Sequence, residues 1–261
     1  IRKQIEKVLE EKTREIIRSN KDLEQFAYIV SHDLQEPLRK VLVFGDRLIT
    51  KHGKALNNEG HDYIERMQNA SMRMQTLITD LLAYSRVATH TRPFTRVDLT
   101  KLTQEVISDL EIQLERTGGR VILGNLPVIY ADAVQMRQLF QNLIGNALKY
   151  HRHEVPPVVE IQARHIEGMK GDHAQASRCN GFCEITVADN GIGFDVKYAE
   201  YIFGIFQRLH RRDEYAGTGV GLSLCRKIAE RHGGSITATS APGNGAKFTL
   251  ILPVEQAEKR N

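Results

Sequence analysis

Apolar side chains recur at alternating steps of four and three residues through the first thirty positions, which is the seam of a coiled coil. The seam positions are Ile5, Leu9, Lys12, Ile16, Ser19, Leu23, Phe26 and Val30. A seam of this length restricts the segment to a long helix, and the dense charge on its other faces favours pairing with a second helix. We therefore predict a coiled coil over residues 1–30, with a single amphipathic helix on a globular core as the alternative.

The helical period continues past the seam through Ser31-His32-Asp33-Leu34-Gln35-Glu36-Pro37. His32 falls off the apolar stripe, so we expect its imidazole to reach water. An acid directly after such a histidine can hold one ring nitrogen protonated and leave the other lone pair free. His32 with Asp33 is therefore a candidate nucleophile, and an ordinary solvated histidine is the alternative. Pro37 removes a helix hydrogen bond and predicts a bend next to this group.

Two long helices joined by a short polar loop follow from the apolar pattern of this first third. The first helix should end near His52 and Gly53, where glycine suits a C-cap, and the second should cover about residues 59–87. Together they form an antiparallel hairpin. One hairpin cannot bury both its faces and its seam, whereas two hairpins make a four-helix bundle. We predict a homodimer through residues 1–89.

The character of the chain changes at residues 89–96, where turn-forming residues without a period predict a linker. Helices and strands then alternate irregularly, which predicts helices on one face of a mixed sheet, an α+β sandwich. The predicted helices cover about residues 100–116, 132–149 and 222–232. The predicted strands cover residues 97–99, 121–123, 128–130, 158–163, 182–188, 234–240 and 246–252.

Three polar side chains share one face of the predicted helix over residues 132–149. Asn142, Asn146 and Lys149 recur at steps of four and three, opposite a face made of Leu139, Leu143 and Ala147. Amide oxygens are hard ligands that suit Mg²⁺, and a lysine can meet a phosphate. A polar outer helix face is the alternative, although two asparagines in mid-helix are poor helix formers.

Glycine-rich segments flank this domain's later strands. Asp189-Asn190-Gly191-Ile192-Gly193 follows a strand, so backbone could approach a ligand closely and Asp189 could accept a hydrogen bond from an exocyclic amine. The segment 217–222 opens a helix with three glycines, an anion cradle of backbone N–H groups. It matches neither a P-loop nor a dinucleotide fingerprint. Plain turns are the alternative for both, and we interpret the segment 242–248 as an ordinary hairpin turn.

The segment Phe203-Gly204-Ile205-Phe206-Gln207-Arg208-Leu209-His210-Arg211-Arg212 has no clear period. We predict a mobile lid in which the aromatic residues anchor the chain and an arginine reaches a phosphate. An ordinary surface loop is the alternative.

Composition excludes several classes of protein. The 261 residues carry a net charge of +4 with no basic run, so nucleic-acid binding has little support. No apolar run approaches the roughly 18 residues of a membrane span. We expect a cytoplasmic protein, attached to a membrane only through parts missing from this chain, and the start at Ile1 indicates a fragment. Cys179, Cys183 and Cys225 are predicted to be free thiols.

The order and spacing of these segments resemble the core of a bacterial sensor histidine kinase over about residues 20–254. Ser31-His32-Asp33 with Pro37 and Leu38 resembles the H box, in a form similar to that of phytochrome-type kinases. The segments 142–150, 189–193, 203–206 and 217–222 resemble the N, G1, F and G2 boxes. The resemblance implies a helical-hairpin dimerisation domain, a four-helix bundle in the dimer, joined to a Bergerat-type ATP-binding sandwich.

Five parts follow from this resemblance together with the patterns above. They are a coiled-coil signalling helix over 1–30, a dimerisation and phosphotransfer hairpin over 21–89, a linker over 90–97, a catalytic domain over 98–254 and a tail over 255–261.

The resemblance also implies a role for individual residues. His32 would be phosphorylated, Asp33 would orient it, and Asn146 would ligate Mg²⁺ beside bound ATP. Asp189 would bind the adenine amine in a pocket shaped by Gly191 and Gly193. The remaining implied ATP-binding residues are Asn142, Lys149, Tyr150, Phe206, Arg208, Gly217, Thr218, Gly219, Val220, Gly221 and Leu222.

One position departs from the family pattern. Many members carry Thr or Asn four residues after the histidine, where it positions water for dephosphorylating a response regulator, whereas this chain has Glu36. We predict weak phosphatase activity beside transfer from His32 to an aspartate of a response regulator docked nearby. A dimeric scaffold that binds ATP without chemistry, and a mechanical ATPase with the same sandwich, are the alternatives.

Overall fold

The computed structural model describes residues 2–89, 93–166, 181–210, 214–215 and 217–255. Within the first unit, the described side chains are those of Lys12, Glu15, Arg18 and residues 29–31 and 33–87. Most of the predicted coiled-coil seam and the His32 imidazole therefore lie outside the described side chains. The chain divides into two compact units, residues 1–90 and 91–261. The five predicted domain boundaries stay a prediction.

The first unit is a helical hairpin. Helix α1 spans Arg2–His52, a 3₁₀ turn covers Gly53–Ala55, and helix α2 spans Asn58–Thr89. The helices are antiparallel, because Gln35 Nε2 lies 3.5 Å from Thr79 Oγ1 and Gln68 Nε2 donates to Asp46 Oδ1 at 2.6 Å. Gly53 does not cap α1 as predicted but starts the 3₁₀ turn, and α1 runs through Pro37 without a break.

The second unit begins with two short strands and the helices around them. Strand β1 covers Thr95–Asp98, and helices α3 and α4 cover Leu99–Asp109 and Glu111–Thr117. The single helix predicted over 100–116 is thus wrong. At Leu110 the backbone leaves helical geometry with φ −99° and ψ 8°, and its N–H contacts carbonyls both three and four residues back. This tightened turn lets the chain change direction between the two helices.

Among the described residues the main sheet has five strands. They are β2 at Arg120–Leu123, β4 at Val158–Ile166, β5 at Phe182–Asp189, β6 at Ser235–Ser240 and β7 at Ala246–Pro253. Their order is β2-β4-β5-β7-β6, and within the described part of the chain only β2 and β4 pair in parallel. Strand β3, Val128–Ala131, pairs separately with β1.

Helices α5, Ala133–Lys149, and α6, Gly221–Arg231, cover one face of this sheet. Alternate strand residues such as Ile161, Ile185 and Leu250 point into the core beneath them and are almost fully buried. Asp132 caps α5 by accepting hydrogen bonds from two backbone N–H groups of its first turn. The predicted α+β sandwich is confirmed.

Two further expectations concern the cysteines and membrane-spanning helices. Cys183 and Cys225 are free and buried, and burial raises the pKa of the Cys183 thiol to about 11. Cys179 lies outside the described residues. Within the described part of the chain, no helix is both long and apolar enough to span a bilayer.

Candidate ATP-binding site

The end of α5, the end of β5 and the start of α6 meet at one place in the sandwich. Ile192, just after β5, donates its N–H to the Tyr150 carbonyl at the end of α5 at 2.9 Å. A Cβ added to Gly221, the first residue of α6, would lie 2.8 Å from Asn142 Oδ1. Three segments that are far apart in sequence thus form one surface.

Helix α5 divides its residues between the core and this surface. Leu139, Leu143 and Ala147 are buried, whereas Asn142, Asn146 and Lys149 are half-buried on the other face. Among the described residues none forms a hydrogen bond with the side-chain amide of Asn146, so its Oδ1 atom is available to a ligand. The structure thus confirms the predicted division of this helix into an apolar face and a polar face.

Asp189 ends β5 with its carboxylate held on one side only. Its Oδ1 accepts hydrogen bonds from Gly191 N at 2.8 Å and Ala246 N at 3.2 Å. Within the described residues no donor reaches Oδ2. Burial raises the pKa of Asp189, and the two backbone hydrogen bonds oppose that rise. One oxygen is thus fixed by the protein and the other can accept from a ligand.

Asn190 ties the loop after β5 to the segment that follows α5. Its Oδ1 accepts from Val158 N at 2.8 Å, its Nδ2 donates to Pro156 O at 3.1 Å, and its carbonyl accepts from Arg152 Nε at 3.0 Å. Sequence analysis missed this residue. The turn-prone Asp-Asn-Gly triplet was visible in sequence, but the partners of Asn190 were not.

The turn between β6 and β7 packs directly on the loop after β5. Gly243 N donates to Ile192 O at 2.7 Å, and Cβ atoms on Gly193 and Gly245 would collide with the carbonyls of Ala241 and Asp189. Both glycines also have positive φ angles, 61° and 72°. The segment 242–248 is therefore a hairpin turn, as interpreted, and it also forms a wall of the site.

Two cationic side chains, those of Lys149 and Arg208, also belong to the site. Lys149 Nζ donates to Tyr150 Oη at 2.7 Å, and a Cβ on Gly217 would lie 2.7 Å from that Nζ. Arg208 Nη1 donates to Gly217 O at 2.7 Å, and its other terminal nitrogen donates to Tyr215 O. Burial, followed by the Arg208 charge, lowers the pKa of Lys149 to about 8. Two neighbouring cations make this region suited to an anion.

Aromatic rings pack around these cations. The Tyr150 ring centroid lies 5.0 Å from that of Tyr215 and 5.9 Å from that of His210. Burial raises the pKa of Tyr150. This aromatic cluster joins the end of α5 to the segment before α6.

The two phenylalanines of the predicted lid differ in how far they are buried. Phe203 is buried edge-on to Phe248, with the Arg226 guanidinium carbon 4.2 Å from its ring centroid, so Phe203 anchors the segment. Phe206 has φ 63° and a half-exposed ring, and its backbone lies against Gly219. The mobility of the lid stays a prediction.

The glycine segment before α6 exposes its residues unequally. Val220 is fully buried, and its backbone nitrogen lies 3.4 Å from Thr218 Oγ1. Leu222 is half-buried in the first turn of α6.

An amide oxygen such as that of Asn146 is a donor that suits magnesium. The described residues contain no group of three or more His, Cys, Asp or Glu side chains that could hold a metal ion. Mg²⁺ accepts few protein oxygens and keeps waters and substrate phosphates as its other ligands. The side-chain oxygen of Asn146, one helical turn before Lys149, fits that requirement.

The phospho-acceptor candidate lies in the hairpin unit. His32 belongs to α1 by its backbone, and its neighbour Asp33 is exposed. Glu36 is exposed as well and pairs with Lys40 at 2.9 Å, one helical turn later.

Two family descriptions match the two units. "HisKA: His Kinase A (phospho-acceptor) domain" matches residues 22–89, and "HATPase_c: Histidine kinase-, DNA gyrase B-, and HSP90-like ATPase" matches residues 131–256. The chain belongs to the sensor histidine kinases. Its two matched domains are the phospho-acceptor and the ATP-binding domain of a protein-histidine kinase, which confirms the family resemblance.

Similar proteins include two whose names identify them as phytochromes or phytochrome-like proteins. The chain is 39% identical to "Phytochrome-like protein Cph1" of Synechocystis over 241 residues, 92% of this chain and 30% of that protein. It is 39% identical to "Cyanobacterial phytochrome A" of Nostoc over 246 residues, 94% of this chain and 30% of that protein. The chain thus spans less than a third of the length of these two relatives.

A solved structure shares the fold of this histidine kinase core. The structure titled "ShkA full-length in complex with AMPPNP" has a TM-score of 0.65 over 89% of this chain and 46% of its own. Its identity of 24% makes the likeness evidence for fold alone.

Proposed function

We propose that this chain is the catalytic core of a sensor histidine kinase that phosphorylates itself on His32 from ATP and then passes the phosphoryl group to an aspartate of a response regulator. The observation that carries the proposal is the meeting of Asp189, the polar face of α5 and the glycines before α6 in a domain that matches the kinase ATPase family.

The polar groups that line the site match the chemistry of the two ends of ATP. Asp189 Oδ2 would accept a hydrogen bond from the adenine amine, while Lys149 and Arg208 would face the phosphates. Asn146, with Asn142 beside it, would hold Mg²⁺. Bound Mg²⁺ supplies positive charge that neutralises the phosphate oxygens during transfer.

The transfer itself uses the residues of the hairpin. A lone pair on a His32 ring nitrogen attacks the γ-phosphorus in line, the bond from that phosphorus to the β–γ bridging oxygen breaks, and ADP leaves. Asp33 orients the imidazole for this attack. We propose that the reaction occurs in the cytoplasm, because ATP and receiver domains occur together there.

The hairpin's surface supports a homodimer. Met67, Met74 and Leu81 of α2 are exposed apolar residues seven positions apart, which is one position of a heptad. A second hairpin would cover this stripe in a four-helix bundle. The response regulator would then dock on the outside of the bundle near His32.

Labelled ATP tests the proposal against its alternatives. The chain, His32→Gln and Asn146→Asp are incubated with γ-labelled ATP and Mg²⁺. We expect label that is stable in base, lost in acid and absent from both variants. Label on His32→Gln would place the acceptor elsewhere, and ATP consumption without protein label would favour a mechanical ATPase. ATP binding with neither product would favour the scaffold.

Weak phosphatase activity is the finer part of the proposal. The Glu36 carboxylate, held by Lys40, would repel the aspartyl phosphate of a regulator instead of positioning water for its hydrolysis. We expect Glu36→Asn to speed dephosphorylation of a phosphorylated receiver domain, with Glu65→Asn, on exposed α2 surface, as the matched control. Rapid dephosphorylation by the unaltered chain that Glu36→Ala abolishes would contradict it.

A further inference from the structure

Ser240 ends strand β6 beside the candidate adenine site, in register with Ala246 of β7. Its hydroxyl donates a hydrogen bond to Gly245 O at 2.6 Å and accepts one from Phe194 N at 2.8 Å. A single half-buried hydroxyl thus joins the β6–β7 turn to the end of the loop that follows Asp189.

The carbonyl that Ser240 holds belongs to the same peptide group as the Ala246 N–H. That peptide is planar and trans, so fixing its oxygen on one side aims its N–H on the other side. The N–H points to Asp189 Oδ1 at 3.2 Å. A hydrogen bond accepted at the carbonyl also polarises the peptide and strengthens the bond that its N–H donates.

Position 245, which lies between Ser240 and Asp189, strongly favours glycine. Gly245 has φ 72°, and a Cβ there would collide with the Asp189 carbonyl. The peptide therefore lies directly against the end of β5, where a small rotation would change the distance to the carboxylate. Ser240 prevents that rotation, and through Phe194 it also fixes the far end of the loop.

We propose that Ser240 is a positioning residue for adenine recognition, because it orients the Gly245–Ala246 peptide that holds Asp189 with its second oxygen toward the purine 6-amino group. The inference rests on the proposed function, since it requires that Asp189 bind the adenine amine. It predicts that Ser240 affects the choice of purine more than the chemistry of transfer.

Calorimetric binding of ADP and IDP to the full chain tests the proposal. IDP carries an oxygen where ADP carries the amine, so its 6-position cannot donate a hydrogen bond to Asp189. We expect Ser240→Ala to weaken ADP binding about fivefold, the effect of losing one ordinary hydrogen bond, and to change IDP binding less than about twofold. The autophosphorylation rate at saturating ATP should stay within about twofold of the unaltered chain.

Two variants control for simple damage to the strand. Ser240→Thr keeps the hydroxyl and should restore the preference for ADP over IDP. Ser235→Ala removes an exposed hydroxyl from the other end of β6 and should bind both nucleotides as the unaltered chain does. Thermal melting of each variant reports whether the sandwich remains folded.

Equal weakening of ADP and IDP by Ser240→Ala, a fall in rate at saturating ATP, or no change at all would each overturn the proposal. Asp189→Asn separates this failure from that of the proposed function. If Asp189→Asn leaves ADP binding unchanged, the adenine assignment itself is wrong. If Asp189→Asn weakens ADP binding and Ser240→Ala does not, only the role of Ser240 is wrong.

Discussion

The helical hairpin and the sandwich bury their apolar residues to very different extents. Among the described side chains of the hairpin, only Ile64 and Val87 are buried apolar residues. The sandwich, by contrast, has a continuous core of buried side chains from both its sheet and its helices. Representative members are Leu99, Phe140, Ile144, Ile185 and Leu250.

The difference indicates where each unit obtains its stability. A sandwich with its own core can fold and bind nucleotide by itself, whereas a hairpin with exposed stripes needs a second hairpin to remove them from water. The polar contact of Gln68 with Asp46 inside the hairpin adds little to its stability. We therefore expect substitutions in the two units to fail in different ways.

The largest effect should come from a charge in the exposed stripe of the hairpin. Leu81→Glu would bury an unpaired carboxylate in each subunit of the dimer, which costs several kcal/mol, so we expect dimerisation to weaken on the order of ten-thousandfold. Sedimentation equilibrium measures the dimer dissociation constant. Ile112→Glu is the control in the sandwich, because Ile112 is 81% exposed and should change neither assembly nor folding. A dimer of Leu81→Glu with unaltered affinity would show that the stripe is not the interface.

A smaller effect should come from one glycine of the sandwich. Gly193 and Gly243 both have positive φ, so alanine strains either position by about 1 kcal/mol. At Gly193 the new Cβ would also collide with the Ala241 carbonyl, whereas at Gly243 it meets nothing within 4 Å. We expect Gly193→Ala to cost about 3 kcal/mol or more in the free energy of unfolding of the sandwich.

Urea denaturation of the two glycine variants measures this difference, with the hairpin transition as an internal standard. Equal stability of Gly193→Ala and Gly243→Ala would show that the loop after β5 does not pack on the β6–β7 turn as described.

Nucleotide binding should depend on pH through Lys149. Its pKa of about 8 lies below the ordinary value, so the ammonium is present below that pH and is lost as the pH rises through it. A bound phosphate favours the charged form, so ADP affinity should fall by about tenfold at most between pH 7 and pH 9. Calorimetry across this range measures the change. Lys149→Gln should bind more weakly with a flatter profile, and an unchanged slope in that variant would assign the titration to another group.

The smallest effect should come from His232 in the sandwich. Its Nε2 accepts from Asp132 N at 3.1 Å while its Nδ1 lies 2.8 Å from Ile228 O, an arrangement that needs the neutral ring. Burial lowers the pKa of His232 below 6.5, despite the nearby Asp132 carboxylate. The unfolded chain therefore binds the proton more readily, so the stabilisation is present above pH 6.5 and is lost as the pH falls below it.

Thermal unfolding at several pH values measures this contribution. The free energy of unfolding of the sandwich should fall by at most about 1.4 kcal/mol between pH 7.5 and pH 5.5, the limit set by the ordinary histidine pKa of 6.5. A His232→Gln variant should not show this fall. Parallel pH profiles for the two proteins would exclude His232 as the source.

Features that depend on local spacing could be predicted from the sequence. The polar face of α5 follows from the positions of Asn142, Asn146 and Lys149, and Asp189 followed by its glycines marks the end of a strand. The paired helices followed from their apolar pattern in the same way. The break at Leu110 was missed, because the apolar period continues across it and only the tertiary packing shows the turn.

The sequence by itself determined which residues are candidates for binding ATP and accepting phosphate, because helix and strand periods and glycine positions are local properties. Only the tertiary structure decided how Asp189 is held. Its partner Ala246 lies 57 residues away, and Ser240 orients that peptide by bonding Phe194 and Gly245 across a turn. In each contact a side chain bonds a backbone group that nearly every residue possesses, so no sequence pattern could identify its partner before the strands were placed side by side.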